Sequence, residues 1–298
     1  MEGHFLVGLV TPRLPSQPAI HNFQLLLPMN HRYHFPLSFQ TVLPDDYRRN
    51  KAFGSLLALL RELGFWGVEL NLNDTKEHDF ETVRQFLDQH GLAFSMLATG
   101  LTARRLRLSL SHTNEAVRRH AVEKCRDMIA WVRSPQTGVI LGLIKGGPSP
   151  EPEIARRQFA LSLAEIVPRA KARQVPILVE VTNRYEAAVA NTLADGVKLV
   201  GKYGADCAQV LPDTFHMNIE EADLLGALRA NRDHFRSLHL SDNNRHFPGF
   251  GAIDFSRIVA CLAEIGYQGR IAIEGNVRVD LASDLRATMK HLAPLLEG

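Results

Sequence analysis

Short apolar runs alternate with longer amphipathic segments along most of the chain, and turn-forming residues close many of them. Runs at 34–43, 66–72, 92–98, 138–144, 175–181, 207–211, 235–240 and 270–274 predict strands. Between and after them, segments 52–63, 80–90, 111–132, 152–173, 187–203, 220–230, 254–265 and 281–296 read as helices. Gly64, Gly91 and Gly266 stand where three of these helices should stop. Ser111 or Thr113 is placed to cap the helix that follows it, with Glu115 early in that helix. Pro152 and Glu153 suit a first helical turn, and Asp254 suits a cap.

The strands are apolar throughout rather than alternating, as parallel strands covered on both faces require. Eight successive strand–helix units predict a single (β/α)8 TIM barrel over residues 33–298, with any active site at the C-terminal strand ends. A six-unit open sheet is the alternative fold. Residues 1–32 mix Pro, Gln, Asn and His without a sustained period and are expected to form an irregular N-terminal extension not needed for folding. The apolar patch at 5–10 has no basic flank before it and no clear cleavage site after it, so no signal peptide is expected.

Composition narrows the class. A chain of 298 residues suits one barrel, and 45% hydrophobic with 22% charged residues is an ordinary globular balance. A net charge of +2 gives no case for a nucleic-acid or membrane partner. Cys125, Cys207 and Cys261 form no paired framework, which fits a reducing, cytoplasmic setting. No run approaches the roughly 18 apolar residues of a membrane span.

The chemistry lies where strands end. Glu180, His239 and Glu274 close three strands, and Asp213 follows a fourth in the stretch 210–221, which also carries His216 and Glu220. Crowded carboxylates repel unless a cation neutralises them. Three carboxylates and an imidazole suit one divalent ion (manganese first, then magnesium, cobalt or zinc), and the lack of thiolates argues against structural zinc. Glu69 lies inside an apolar strand and is either a site residue or a structural carboxylate. Lys145-Gly146-Gly147 reads as a plain turn in preference to a phosphate loop. His112, His120 and His291 read as solvated, Trp66 and Trp131 as packing residues. His246, Phe39 and Gln40 stand open between cavity lining and structure.

Three motifs carry a resemblance: Glu180 with Asn183-Arg184-Tyr185-Glu186, the run from Asp213 to Glu220, and His239 with Arg245 and Pro248-Gly249-Phe250-Gly251. They resemble the xylose-isomerase-like sugar isomerases and epimerases, nearest the ketose 3-epimerase branch, over about residues 34–296. The resemblance implies that Glu180, Asp213, His239 and Glu274 hold the metal, and that Glu186, His216 and Arg245 grip a sugar. It implies C3 epimerisation of a free ketose through a cis-enediolate, with Glu180 and Glu274 exchanging the proton on opposite faces. An aldose–ketose isomerase, or one of the hydroxypyruvate or inosose type, would use the same barrel. Relatives form homodimers or homotetramers. DNA-repair endonucleases of the endonuclease IV type share the barrel but use a zinc cluster with histidines on early strands. Here those strands end in Glu69-Leu70-Asn71 and Ala98-Thr99-Gly100.

Overall fold

A computed structural model describes residues 31–297. Eight parallel strands form one sheet: β1 (Leu37–Val42), β2 (Gly67–Asn71), β3 (Ala93–Ala98), β4 (Gly138–Leu141), β5 (Ile177–Glu180), β6 (Ala208–Leu211), β7 (Ser237–Leu240) and β8 (Arg270–Ile273). Their spatial order is β6-β5-β4-β3-β2-β1-β8-β7. The two end strands are joined by a bridge between Asp213 and His239, where His239 N donates to Pro212 O at 2.9 Å. The ring therefore closes, and the open-sheet alternative falls away. The closing seam is made by two of the residues singled out for chemistry.

Among the described residues ten α-helices surround the strands: α1 (Lys51–Glu62), α2 (Phe80–Gln89), α3 (Gly100–Leu106), α4 (Glu115–Trp131), α5 (Pro152–Ala172), α6 (Leu193–Val200), α7 (Thr214–Glu220), α8 (Leu224–Ala230), α9 (Phe255–Glu264) and α10 (Leu281–Leu296). Asp254 caps α9, and Pro152 opens α5, both as expected. The cap of α4 is Asn114 rather than Ser111 or Thr113, accepting from Ala116 N and Val117 N. Such a cap is worth about 1 kcal/mol.

Three further expectations need correction. The helix expected over 187–203 narrows to α6. Asn191 ties the preceding loop to Thr182 O and Ala187 O, Ala190 has φ +54°, and Thr192 supplies the cap. The helix expected over 220–230 starts only at Leu224 as α8, capped by Asp223, and a separate short helix, α7, capped by Asp213, precedes it. Helix α3 was not anticipated, since only seven residues follow a strand too closely to show a period.

The barrel interior divides in two. Met96, Ala98, Ile140, Leu178 and Leu211 form a small apolar cluster contributed by β3 to β6. The remaining strands bury Ser38, Glu69, Ser237, His239 and Arg270. The main core lies between strands and helices. The expected extension over 1–32 lies outside the described residues but for its last two, of which Arg32 pairs with Glu297 at 3.0 Å.

Candidate metal centre and substrate cavity

Glu180 ends β5, Asp213 follows β6, His239 lies within β7 and Glu274 follows β8. One ligand atom from each lies within 4.8 Å of the others, so these four side chains can hold a metal ion. His239 Nδ1 is 2.7 Å from Glu274 Oε2, and 3.9 Å from both Glu180 Oε1 and Asp213 Oδ2. The 2.7 Å approach lacks hydrogen-bond geometry, and both atoms are buried with no other partner.

The other face of the imidazole explains its orientation. His239 Nε2 is 2.8 Å from Glu69 Oε2, and Glu69 is itself 1% exposed. A carboxylate there favours a proton on Nε2 and leaves Nδ1 turned toward three carboxylates. Carboxylates crowded in this way need a cation among them: a proton on Nδ1 serves in the metal-free protein, and a hard divalent ion bound there would take its place, so the residues fit such an ion. Glu69 is therefore the buried residue behind the cluster, and Gln40 Nε2 approaches it at 3.4 Å.

The carboxylates are unequal. Burial, with Glu274 and Asp213 beside it, pushes the Glu180 carboxyl up to about 7. Burial also opposes charge on Glu274, but Arg245 and His239 outweigh it and hold that carboxyl down to about 2. Burial works against an imidazolium at His239, yet Glu69 and Glu274 raise it well above its ordinary value. Two carboxyls driven apart in this way can take opposite roles in proton transfer.

Arg245 closes one side of the cluster. It donates to Asp213 Oδ2 at 2.7 Å and forms an ion pair with Glu274 Oε1 at 2.8 Å, and its guanidinium lies over Phe215. Its backbone has φ +62°, a costly conformation for arginine, held by bonds from its N to Asp242 O and from Asn276 N to its O. The loop after β7 is organised by Asp242, which accepts from Gly249 N, Gly251 N and Ile253 N.

His216 is buried, which lowers its pKa. Its Nδ1 accepts from the Asn183 amide at 2.8 Å, so Nε2 carries the proton, 4.0 Å from Glu180 Oε1. Asn183 also donates to Glu186 Oε1 at 2.9 Å, placing that exposed carboxylate at the cavity mouth. Glu220 is not part of the cluster: it binds Arg184 and pins the loop after β5.

Two supports of Glu180 carried no clear functional signal in the chain. A Cβ at Gly142 would overlap Glu180 Oε2, so only glycine leaves the carboxylate where it is. Lys145 is fully buried and donates to Glu180 O, to Thr182 Oγ1 at 2.8 Å and to Val189 O at 3.4 Å. It braces strand ends and does not form a phosphate loop.

A cavity of about 450 Å³ opens over the cluster. Its wall includes Gln40, Asn71, Thr99, Arg104 and Asn276, besides Glu180, Glu186, His216, Arg245 and Glu274. Phe39 instead packs on Phe65 and Phe247. His246 bonds to Asn276 O beside the cavity. Trp66 lies against buried Arg270, Trp131 packs on Phe80 and Phe94, and His112, His120 and His291 are exposed, as expected.

Barrel and cluster together define a class. Residues 57–295 match the family described as xylose isomerase-like TIM barrel, and the chain belongs to that family. Among similar proteins, the L-ribulose 3-epimerase of Mesorhizobium japonicum is 30% identical over 222 residues, covering 73% of each chain. The ketose 3-epimerase of Arthrobacter globiformis is 28% identical over 229 residues, 76% of this chain and 78% of its own. A solved L-ribulose 3-epimerase superposes with a TM-score of 0.73 at 25% identity, covering 88% of this chain and 94% of the other. An AP endonuclease of family 2 from Brucella melitensis, at 18% identity and TM-score 0.70, shares the fold alone. Among the described residues no helix is long and apolar enough to cross a membrane.

Proposed function

We propose that the protein is an isomerase that epimerises a ketose at C3, with Glu180, Asp213, His239 and Glu274 holding one divalent ion. The observation that carries this is Nδ1 of His239, turned toward three carboxylates and held from behind by Glu69. The similar proteins named ketose 3-epimerase and L-ribulose 3-epimerase support the reaction class. Manganese fits the ligand set, with magnesium, cobalt and zinc as competitors. The substrate is a small sugar, and a cytoplasmic homodimer or homotetramer is the setting that accompanies this reading.

When bound, the ion supplies a Lewis acid that stabilises negative charge at C2 and so makes the C3 proton removable. Glu180 and Glu274 reach the cavity from β5 and β8. One removes the proton, and the other returns a proton to the opposite face, inverting the centre. The reverse reaction exchanges their roles. His216 offers its Nε2–H, and Arg245 its guanidinium, to the sugar's oxygens, while Glu186 orients a hydroxyl at the mouth.

The test is metal counting on purified protein, combined with assay on a panel of pentuloses and hexuloses with manganese. One ion per chain and formation of the C3 epimer support the reading. Several ions per chain, or no turnover across the panel, overturn it.

A further inference from the structure

One charge on the cavity wall is not used by the chemistry above. Gly100, Leu101 and Arg104 fall on one face of α3, and all three line the cavity. Arg105 turns away and pairs with Glu77 at 3.0 Å. The other charged groups of the wall are engaged: Arg245 with Asp213 and Glu274, Glu186 with Asn183, and Glu180 within the cluster. Among the described residues the Arg104 side chain has no hydrogen bond and no ion pair.

Topology places this arginine at the far side of the mouth. Helix α3 follows β3, and in the ring order β3 stands four strands from β7, which carries His239. A ketose with its C2–C3 end at the cluster therefore extends toward α3. A guanidinium with unspent donors matches phosphate or carboxylate, to which it binds through paired charge-assisted hydrogen bonds. Glu186 lies on the β5 side of the mouth, so an anion is directed to Arg104 and not to that side.

Resting on the ketose reading, we propose that Arg104 is a substrate-binding residue for an anionic group, phosphate or carboxylate, at the end of the ketose remote from the reacting carbons. The test compares a hexulose, its 6-phosphate and the corresponding hexuluronate on manganese-loaded protein. Affinity is measured by calorimetry and kcat/KM by epimer formation. One anionic sugar should exceed the hexulose by roughly tenfold or more in affinity, the scale of a charge-assisted hydrogen bond. Arg104→Gln should collapse that ratio, and Arg104→Lys should retain part of it. The better of the two anionic sugars identifies the group. An anionic-to-neutral ratio at or below one, or a ratio unchanged in Arg104→Gln, overturns the proposal; that is the behaviour of a solvated arginine serving only the end of α3. Absence of epimer from every sugar overturns the epimerase reading instead, while the affinity ratio still decides Arg104.

Discussion

His239 and Glu274 face each other at 2.7 Å through a nitrogen and an oxygen that make no hydrogen bond with each other or with anything else. On the opposite edge of the same ring, Glu69 holds Nε2 at 2.8 Å. The imidazole is thus clamped from behind, and its Nδ1 is delivered to the cluster.

Glu69→Gln should weaken manganese affinity by about 10–100-fold, the usual cost of losing a carboxylate behind a ligating histidine. The amide can present its NH₂ to Nε2 and so favour the wrong tautomer. A titration of metal-free protein with manganese measures this, and an unchanged affinity would remove Glu69 from the account.

Gly142→Ala should cost about 10²-fold in kcat/KM, since the added methyl must displace the Glu180 carboxylate. The neighbour that gives way is the end of a flexible side chain, so thermal stability should change little. Steady-state kinetics with a melting curve separate the two effects. A variant as active as the parent would show that Glu180 tolerates the shift.

Metal affinity should depend on pH. In the metal-free protein burial raises the Glu180 carboxyl to about 7 from an ordinary value of 4.5. Below that value a proton occupies it, and binding must expel the proton, so affinity should fall by up to about tenfold per pH unit as pH drops below 7. The same raised carboxyl favours the metal-free fold below pH 4.5 and loses that contribution as pH rises through 7. The lowered Glu274 acts in the opposite sense, with its contribution lost only as pH falls from 4.5 toward 2. Chelator-treated protein should therefore melt at a lower temperature at pH 8 than at pH 5.5, and manganese should narrow the gap. A metal affinity flat from pH 5.5 to 8 would contradict this.

Glu180→Gln and Glu274→Gln should each lower turnover by about 10²–10⁴-fold, the range of general acid–base contributions. Saturating manganese should refill the site without restoring the rate. Full rescue by metal would reduce both residues to ligands.

Much of this was legible in the chain. Apolar runs closed by turn residues carry the barrel, because parallel strands buried on both faces leave that mark. Three residues of the cluster stand at or just beyond strand ends and His239 one residue before the end of β7, where an acidic or imidazole side chain interrupts the apolar pattern. Helix α3 and the break between α7 and α8 were not legible, because seven-residue helices start from local caps and show too few turns for a period. Glu69 was ambiguous: a carboxylate inside an apolar strand acquires meaning only when β7 brings His239 to it, 170 residues away. Gly142 and Lys145 gave still less, since their roles are a close approach and a brace to β5, both products of strand adjacency in space.

The most direct measurement is the position of solvent deuterium in sugar recovered from manganese-loaded enzyme in D₂O. Removal of the C3 proton by one carboxylate and delivery of a solvent-derived one by the other predicts label at C3 in the product epimer, with accumulation at C3 in the substrate as the reaction reverses. Label confined to C1 would mean that the proton moves along one face between C1 and C2, and would contradict the account.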